Sequence, residues 1–185
     1  MQPEEARTVL VAIMGRLAAG DEAALGELYR RTGAKLFGVC LRILNDREEA
    51  EDVLQDVYLT AWRRADSFDA GRASPITWLA TIARNRSIDR LRQIGRRGGD
   101  RPMEEAAEVA ETGPSAFDRL AEVDEGRRLG DCLRTLDERT RESIAAAFFG
   151  GMTYEQLAAG LSVPLGTIKS RIRRGLIRLK ECLSQ

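Results

Sequence analysis

The stretch Thr153–Lys180, TYEQLAAGLSVPLGTIKSRIRRGLIRLK, constrains the fold of this chain more than any other. Thr153 and Gln156 have the spacing of a capping box, which marks the start of a helix. Four apolar residues then recur at intervals of three and four and predict one buried helical face: Tyr154, Leu157, Ala158 and Leu161. Pro164 ends this helix, because proline lacks a backbone donor, and it also suits the first turn of a second helix. The stretch therefore predicts two helices joined by a tight turn.

The second of these helices carries charge of one sign only. Its predicted inward stripe consists of Leu165, Ile168, Ile172, Leu176 and Leu179. The rest of its surface holds cations and no acid: Lys169, Arg171, Arg173, Arg174, Arg178 and Lys180. A solvated amphipathic helix would show the same charge run. The capped first helix and the proline turn instead favour a helix-turn-helix, whose second helix enters the major groove of DNA.

Helical periods also dominate the rest of the chain, and the alternation typical of strands is nearly absent. We therefore predict an all-α fold with two small helical domains joined by a flexible linker. The first domain covers residues 1–97, the linker residues 98–114, and the second domain residues 115–185. The second domain is predicted to contain four helices, of which the helix-turn-helix forms the last two. Around the linker, Arg101–Asp118 contains five acids and one base, and such a segment would repel DNA.

Charge is unevenly distributed along the chain, although 29 basic and 29 acidic residues give a net charge of zero. Arg84–Arg97 holds six arginines and one acid. A polyanion responds to local patches, so two separate basic helices indicate nucleic-acid binding. The chain has no histidine, which excludes Ser-His-Asp catalysis and zinc sites that need an imidazole.

No run of apolar residues approaches the ~20 that a membrane-spanning helix needs, and no signal-peptide pattern is present. We therefore expect a cytoplasmic protein that does not insert into the membrane.

An acidic helix is predicted at Asp46–Ala65. Its outer face carries Glu48, Glu49, Glu51, Asp52, Gln55 and Asp56. Acids in the first turns of a helix stabilise it through the helix dipole. The same face could equally bind a basic partner, and the residues alone leave both interpretations open.

A second basic helix is predicted to follow the polar loop Ser67–Pro75. Its cations are Arg84, Arg86, Arg90, Arg92, Arg96 and Arg97. Trp78 lies near its start, where an aromatic ring can stack on an unpaired base. A tryptophan at helical spacing can also pack in the core.

Three strings resemble, in order and spacing, the extracytoplasmic-function branch of bacterial sigma factors. EAEDVLQDVYLTAW is similar to the helix that binds core RNA polymerase, TWLATIARNRSIDRLR to the helix that recognises and melts the −10 element, and MTYEQLAAGLSVPLGTIKSRIRRGLIRLK to the −35 reader. The resemblance implies a factor that binds the clamp region of core RNA polymerase, directs it to promoter DNA and helps to open the duplex. Such a factor is expected to have no enzymatic activity, no metal or other cofactor and no small-molecule substrate. It also implies control by an anti-sigma factor.

The resemblance further implies which residues make these contacts. The −35 contacts fall on Lys169, Ser170, Arg171, Arg173 and Arg174. The −10 recognition and melting residues are Phe68, Asp69, Arg72, Ser74, Trp78, Arg84, Asn85, Arg86 and Arg90. The residues that bind core polymerase are Asp52, Gln55, Asp56 and Leu59.

Two of the three cysteines, Cys132 and Cys182, fall on the first and last predicted helices of the second domain. A disulfide between them would tie the recognition helix to the start of the domain and could tune affinity for an anti-sigma factor. Two buried, reduced cysteines are the alternative, which a reducing cytosol favours. Cys40 is predicted to be a core residue.

Two other function classes compete with a sigma factor. A helix-turn-helix regulator that binds DNA without polymerase would need neither the acidic helix nor the first basic helix. A nuclease could hold a metal with Asp52 and Asp56, but the sequence offers no second acidic cluster to face them.

Overall fold

The computed structural model describes residues 3–97 and 124–184, and within these residues every regular element is helical. Contacts divide the chain into two compact units, Met1–Arg97 and Gly98–Gln185, each described below by itself. The predicted all-α fold with two small domains is confirmed. The predicted linker, residues 98–114, and the predicted start of the second domain at residue 115 lie outside the described residues.

The first unit contains four long helices and one short 3-10 turn. They are α1 (Pro3–Ala18), α2 (Glu22–Leu44), α3 (Arg47–Arg63), the 3-10 turn Ala65–Ser67 and α4 (Pro75–Arg97). The side chain of Asp21 accepts a hydrogen bond from the Ala23 N–H and caps α2, and Asp46 caps α3 through the Glu49 N–H. These aspartates satisfy backbone donors that the first turn of a helix leaves without a partner. Between the two helices, Asn45 adopts a left-handed conformation with φ 53° and ends α2.

Helix α2 lies at the centre of the first unit, where it packs against α1, α3 and α4. Its core positions are filled mainly by aliphatic side chains from all four helices, among them Met14, Leu17, Leu28, Leu36, Val57 and Leu79. Cys40 is buried in this core, as predicted. A polar pair is buried with them: the Thr32 and Tyr58 hydroxyl oxygens are 2.7 Å apart, and burial raises the pKa of Tyr58 to about 12. The Thr32–Tyr58 hydrogen bond joins α2 to α3.

The described part of the second unit contains four helices. They are α5 (Asp124–Arg134), α6 (Glu138–Phe148), α7 (Tyr154–Gly160) and α8 (Leu165–Leu183). Both halves of the predicted capping box are present, because the Gln156 N–H donates to Thr153 Oγ1 and the Thr153 N–H donates to Gln156 Oε1. The turn to α8 is tight, with Ser162 at φ 51°. Helix α8 packs against the other three helices.

Three apolar residues predicted to be inward are instead exposed, and these predictions were wrong. Tyr154, Leu161 and Leu176 are 37%, 49% and 50% exposed. Tyr154 is the first residue of α7 and Leu161 follows its last, so both lie at the ends of a helix of only seven residues. On α8 the buried position is Gly175, beside Leu176. Apolar spacing identified the correct helices but misplaced the edges of their buried faces.

Candidate nucleic-acid interface

Helix α8 presents most of its predicted DNA-contacting residues to solvent. Lys169, Ser170, Arg173 and Arg174 are all exposed. The Ser170 hydroxyl donates to the Thr167 carbonyl at 3.0 Å, within its own helix. No ion pair joins Lys169, Arg173 or Arg174 to any residue in the described ranges. Their charges are therefore available to phosphates and to the acceptor edges of bases.

Arg171 is oriented differently from the other cations of this helix. It is half-buried, and its Nη1 donates to the Ser143 hydroxyl of α6 at 3.4 Å. Asp137, which caps α6, lies close enough for the Arg171 charge to contribute to a lowered Asp137 pKa. The main cause of that lowering is hydrogen bonding from Thr140, whose N–H donates to Asp137 Oδ1 at 3.0 Å. Arg171 therefore contributes to the packing of α8 on α6.

Helix α8 packs tightly on α6 at Gly175. A Cβ at this position would lie 2.5 Å from Thr140 Cγ2 and 2.8 Å from Ile144 Cδ1, too close for any larger residue without a shift. Ile168, Ile172 and Leu179 fill the buried face on either side. Sequence reasoning did not identify Gly175, because a scan for apolar side chains ignores a residue that has none.

A disulfide joins Cys132 of α5 to Cys182 of α8, with the two Cα atoms 5.8 Å apart. This separation lies within the range that disulfides span. The bond links the last turn of α8 to α5 across 50 residues of sequence.

In the first unit, the loop before α4 is held by contacts within its own sequence. Asp69 Oδ1 accepts from the Gly71 N–H at 2.8 Å, and Ser74 Oγ accepts from the Thr77 N–H at 3.2 Å. The Phe68 and Trp78 rings meet edge to face at 5.8 Å. Arg72 is exposed, whereas Phe68, Ser74 and Trp78 are half-buried. The predicted −10 loop residues therefore lie together at the start of α4.

A contact from α1 also reaches this loop. The Arg7 guanidinium donates to the Ala70 carbonyl at 3.3 Å. Trp78 packs against the core of the unit, so part of its side chain is already in contact with the protein.

Further along α4, two predicted DNA-contacting arginines bind neighbouring groups of the same unit. Arg86 donates to Thr60 Oγ1 at 3.1 Å. Arg90 forms a bidentate ion pair with Glu49, through Nε to Oε2 and through Nη2 to Oε1 at 3.0 Å. The hydrogen bond that Arg90 donates to Glu49 raises the pKa of Arg90, with smaller contributions from the Asp52 and Asp56 charges. The other two predicted residues, Arg84 and Asn85, bind each other at 3.2 Å.

The acidic face of α3 borders a groove of about 310 Å³ between α3 and α4. All four residues predicted to bind core polymerase line it: Asp52, Gln55, Asp56 and Leu59. Leu59 is 49% exposed, although it is a large aliphatic residue. On the α4 side the lining includes Arg86, Asp89, Arg90 and Gln93. Asp89 and Gln93 were missed from the sequence, although Asp89 stands out as the one acid of Arg84–Arg97.

Acidic residues do not gather into a metal site within residues 3–97 and 124–184, where no group of three or more His, Cys, Asp or Glu could hold an ion. The same ranges contain no helix that is long and apolar enough to cross a bilayer.

Comparison with known families accounts for both units. The Sigma-70 region 2 model matches residues 28–97, and the Sigma-70, region 4 model matches residues 132–181. The ECF RNA polymerase sigma factor SigK of Mycobacterium tuberculosis is 36% identical over 182 residues, which cover 98% of this chain and 97% of the relative. SigK of Mycobacterium sp. (strain KMS) is 38% identical over 176 residues, covering 95% and 91%. The chain belongs to the ECF sigma factors.

Solved structures of other sigma factors are also similar to this one. Rhodobacter sphaeroides SigE, in complex with the anti-sigma ChrR, is 37% identical and covers 92% of this chain and 98% of its own, with a TM-score of 0.47. Bartonella quintana RpoE, in complex with the anti-sigma factor NepR, is 28% identical and covers 86% and 96%, with a TM-score of 0.38.

The predicted family is thus confirmed. As a sigma factor, the chain acts in transcription initiation, and its partners are RNA polymerase and promoter DNA.

Proposed function

We propose that this sigma factor binds core RNA polymerase through the exposed face of α3 and places it at promoters that it reads with α4 and α8. The observation that carries the proposal is the ordered match to Sigma-70 regions 2 and 4 along a chain that spans nearly the whole length of its relatives. We further propose that it acts in the cytoplasm as a specificity factor without enzymatic activity of its own.

For the −35 element, we assign contacts to Lys169, Ser170, Arg173 and Arg174, whose exposure supports the assignment. Lys and Arg side chains can read guanine edges or hold phosphates. Arg171 is assigned to the DNA backbone, because its contact with Ser143 limits its reach.

For the −10 element, we assign the flipped base to the loop formed by Phe68, Asp69, Arg72 and Ser74, next to Trp78. A flipped base must be bound in a shaped pocket, because extracting it costs a few kcal/mol. The hydrogen bonds of Asp69 and Ser74 within the loop provide such shape before DNA arrives. Arg84 and Asn85 lie further along α4 and are assigned to the same element. Arg86 and Arg90, also predicted as DNA contacts, bind Thr60 and Glu49 instead and are not assigned to DNA here.

We also propose that an anti-sigma factor holds this protein inactive; the similar SigE and RpoE structures are complexes with the anti-sigma ChrR and the anti-sigma factor NepR. The Cys132–Cys182 disulfide supports a role for oxidation state in that control, because it links α5 to the end of α8. Reducing the bond is expected to change the affinity for the anti-sigma factor. Equal affinities of the oxidised and reduced proteins for a purified anti-sigma partner would contradict this role.

Run-off transcription with purified core RNA polymerase tests the proposed function. A sigma factor gives transcripts from specific start sites only when both proteins are present. Specific DNA binding without polymerase and without promoter-dependent transcripts would instead indicate a stand-alone helix-turn-helix regulator, and strand cleavage would indicate a nuclease.

A further inference from the structure

The groove between α3 and α4 has two walls, although the docking residues assigned above lie only on α3. Asp89 and Gln93 line the opposite wall, and both are exposed. They are four residues apart on α4 and therefore share one face of that helix. We propose that the whole groove receives a basic segment of core RNA polymerase and that Asp89 and Gln93 are docking residues. This inference rests on the proposed function and extends it to a second helix.

The charges of the groove define the chemistry of its occupant. Among the lining residues, Asp52, Asp56 and Asp89 contribute three negative charges, and Arg86 and Arg90 contribute two positive ones. Glu49, which pairs with Arg90 beside the groove, adds a fourth negative charge, so the net charge of this region is −2. Arg90 is already ion-paired with Glu49. In contrast, Asp52, Asp56 and Asp89 form no ion pair with any residue that the structure describes. An occupant that supplies lysine or arginine side chains would complement these three carboxylates.

The groove also offers an apolar contact and two amide side chains. Leu59 is half-exposed in the α3 wall, while Gln55 and Gln93 stand on opposite walls and can each donate and accept hydrogen bonds. A folded protein segment carries cations, apolar side chains and backbone polar groups together. DNA would be repelled by the surplus negative charge, so the groove favours polymerase over promoter.

Arg90 connects the two walls. Its bidentate bond to Glu49 crosses from α4 to the first turn of α3 and holds the helices at a fixed separation. Arg90 is thus a positioning residue for docking. In this proposal α4 has two roles. Asp89 and Gln93 face polymerase, whereas Arg84 and Asn85 on the same helix are assigned to the −10 element.

Binding of the full-length protein to core RNA polymerase, measured by fluorescence titration without DNA, tests the inference. We expect Asp89→Asn to weaken binding about tenfold, with a smaller dependence of affinity on salt, because a charge pair is lost. Asp52→Asn is the positive control for the α3 wall. Asp66→Asn is the matched negative control, because Asp66 is exposed in the same unit but does not line the groove.

The outcomes separate the inference from the proposed function. If Asp89→Asn binds core polymerase like the unmodified protein while Asp52→Asn binds more weakly, the proposed docking role of α4 is wrong. Docking through α3 would then be retained. An equal loss in Asp66→Asn would show a general charge effect and would also overturn the inference. If the unmodified protein does not bind core polymerase, the proposed function itself fails.

A second measurement distinguishes docking from a role in promoter opening. At core polymerase concentrations that saturate the Asp89→Asn variant, we expect its run-off transcription to equal that of the unmodified protein. A defect that persists at saturation would place Asp89 in DNA opening rather than in docking.

Discussion

The two basic helices, α4 and α8, look alike in sequence but hold their cations differently. On α4, Arg86 and Arg90 bind Thr60 and Glu49 of the same unit. On α8, Arg173 and Arg174 are exposed and have no ion-pairing partner in the described part of the chain. A run of arginines therefore does not by itself measure the charge offered to DNA. We infer that α8 is mainly a reading helix, while α4 is divided between DNA and docking.

The helices also differ in how they are anchored, and loss of the disulfide should have the largest effect on stability. Removing the Cys132–Cys182 bond by Cys182→Ser is expected to destabilise the second unit by about 2–4 kcal/mol, because a long loop regains chain entropy in the unfolded state. Chemical denaturation of the oxidised and reduced protein measures this difference. The first unit serves as the internal control, because its one cysteine, Cys40, is free and buried. Equal unfolding of the second unit in both states would show that packing alone holds α8.

The next-largest effect on stability is expected from substitution of Gly175, where α8 packs tightly on α6. Gly175→Ala places a methyl group against Thr140 and Ile144, and overpacking of this kind typically costs about 1–3 kcal/mol. Thermal unfolding of the second unit measures the loss. Gly166→Ala is a matched control on the same helix, because nothing lies within 4 Å of a Cβ there. If both variants unfold alike, the close crossing is not a constraint.

A local effect on promoter choice is expected from Arg174→Ala. If Arg174 reads a base, its loss should cost roughly 1–3 kcal/mol of binding and relax selectivity at one position of the −35 element. Transcription from a set of −35 variants measures this selectivity. Arg86→Ala on α4 is the contrasting variant. Because the Arg86 side chain already binds Thr60, its loss should leave selectivity at the −35 element unchanged. Uniform weakening of Arg174→Ala on every promoter would show that it contacts only phosphate.

The smallest expected effect is on the pH dependence of the second unit. Because the Asp137 pKa is lowered from its ordinary value of 3.8 in the folded protein, its carboxylate stabilises the fold above that pH. This stabilisation declines as the pH falls below 3.8 and through the lower folded pKa. Asparagine also caps helices well, so Asp137→Asn should remove mainly this pH-dependent part. The melting temperatures of the two proteins should therefore converge in acid, and a constant difference would contradict the lowered pKa.

Local signals in the sequence predicted the parts of the fold that depend on neighbouring residues. Thr153 was predicted as a cap and acts as one, because the hydrogen bonds of a cap are made within three residues. The order of the helices and the family also followed from the sequence.

Tertiary contacts determine the features of the structure that local sequence patterns did not predict. Leu176 fits the helical period but is exposed, because α8 approaches α6 through Gly175 instead. Likewise, the pairing of Arg90 with Glu49 spans 41 residues, so no local pattern reveals it. Predicted site residues could therefore be placed on the correct helices, but not sorted into those that bind the protein and those that face outward.

Two contacts hold α8 in place. Gly175 packs tightly on α6 near the middle of the helix, and the disulfide joins its last turn to α5. From Cys182 to Lys169 the helix is roughly 20 Å long, at a helical rise of 1.5 Å per residue. If the exposed cations of α8 read base edges as proposed, a tilt imposed at Cys182 would displace them from those edges. Promoter selectivity would then depend on a covalent bond at the opposite end of the helix.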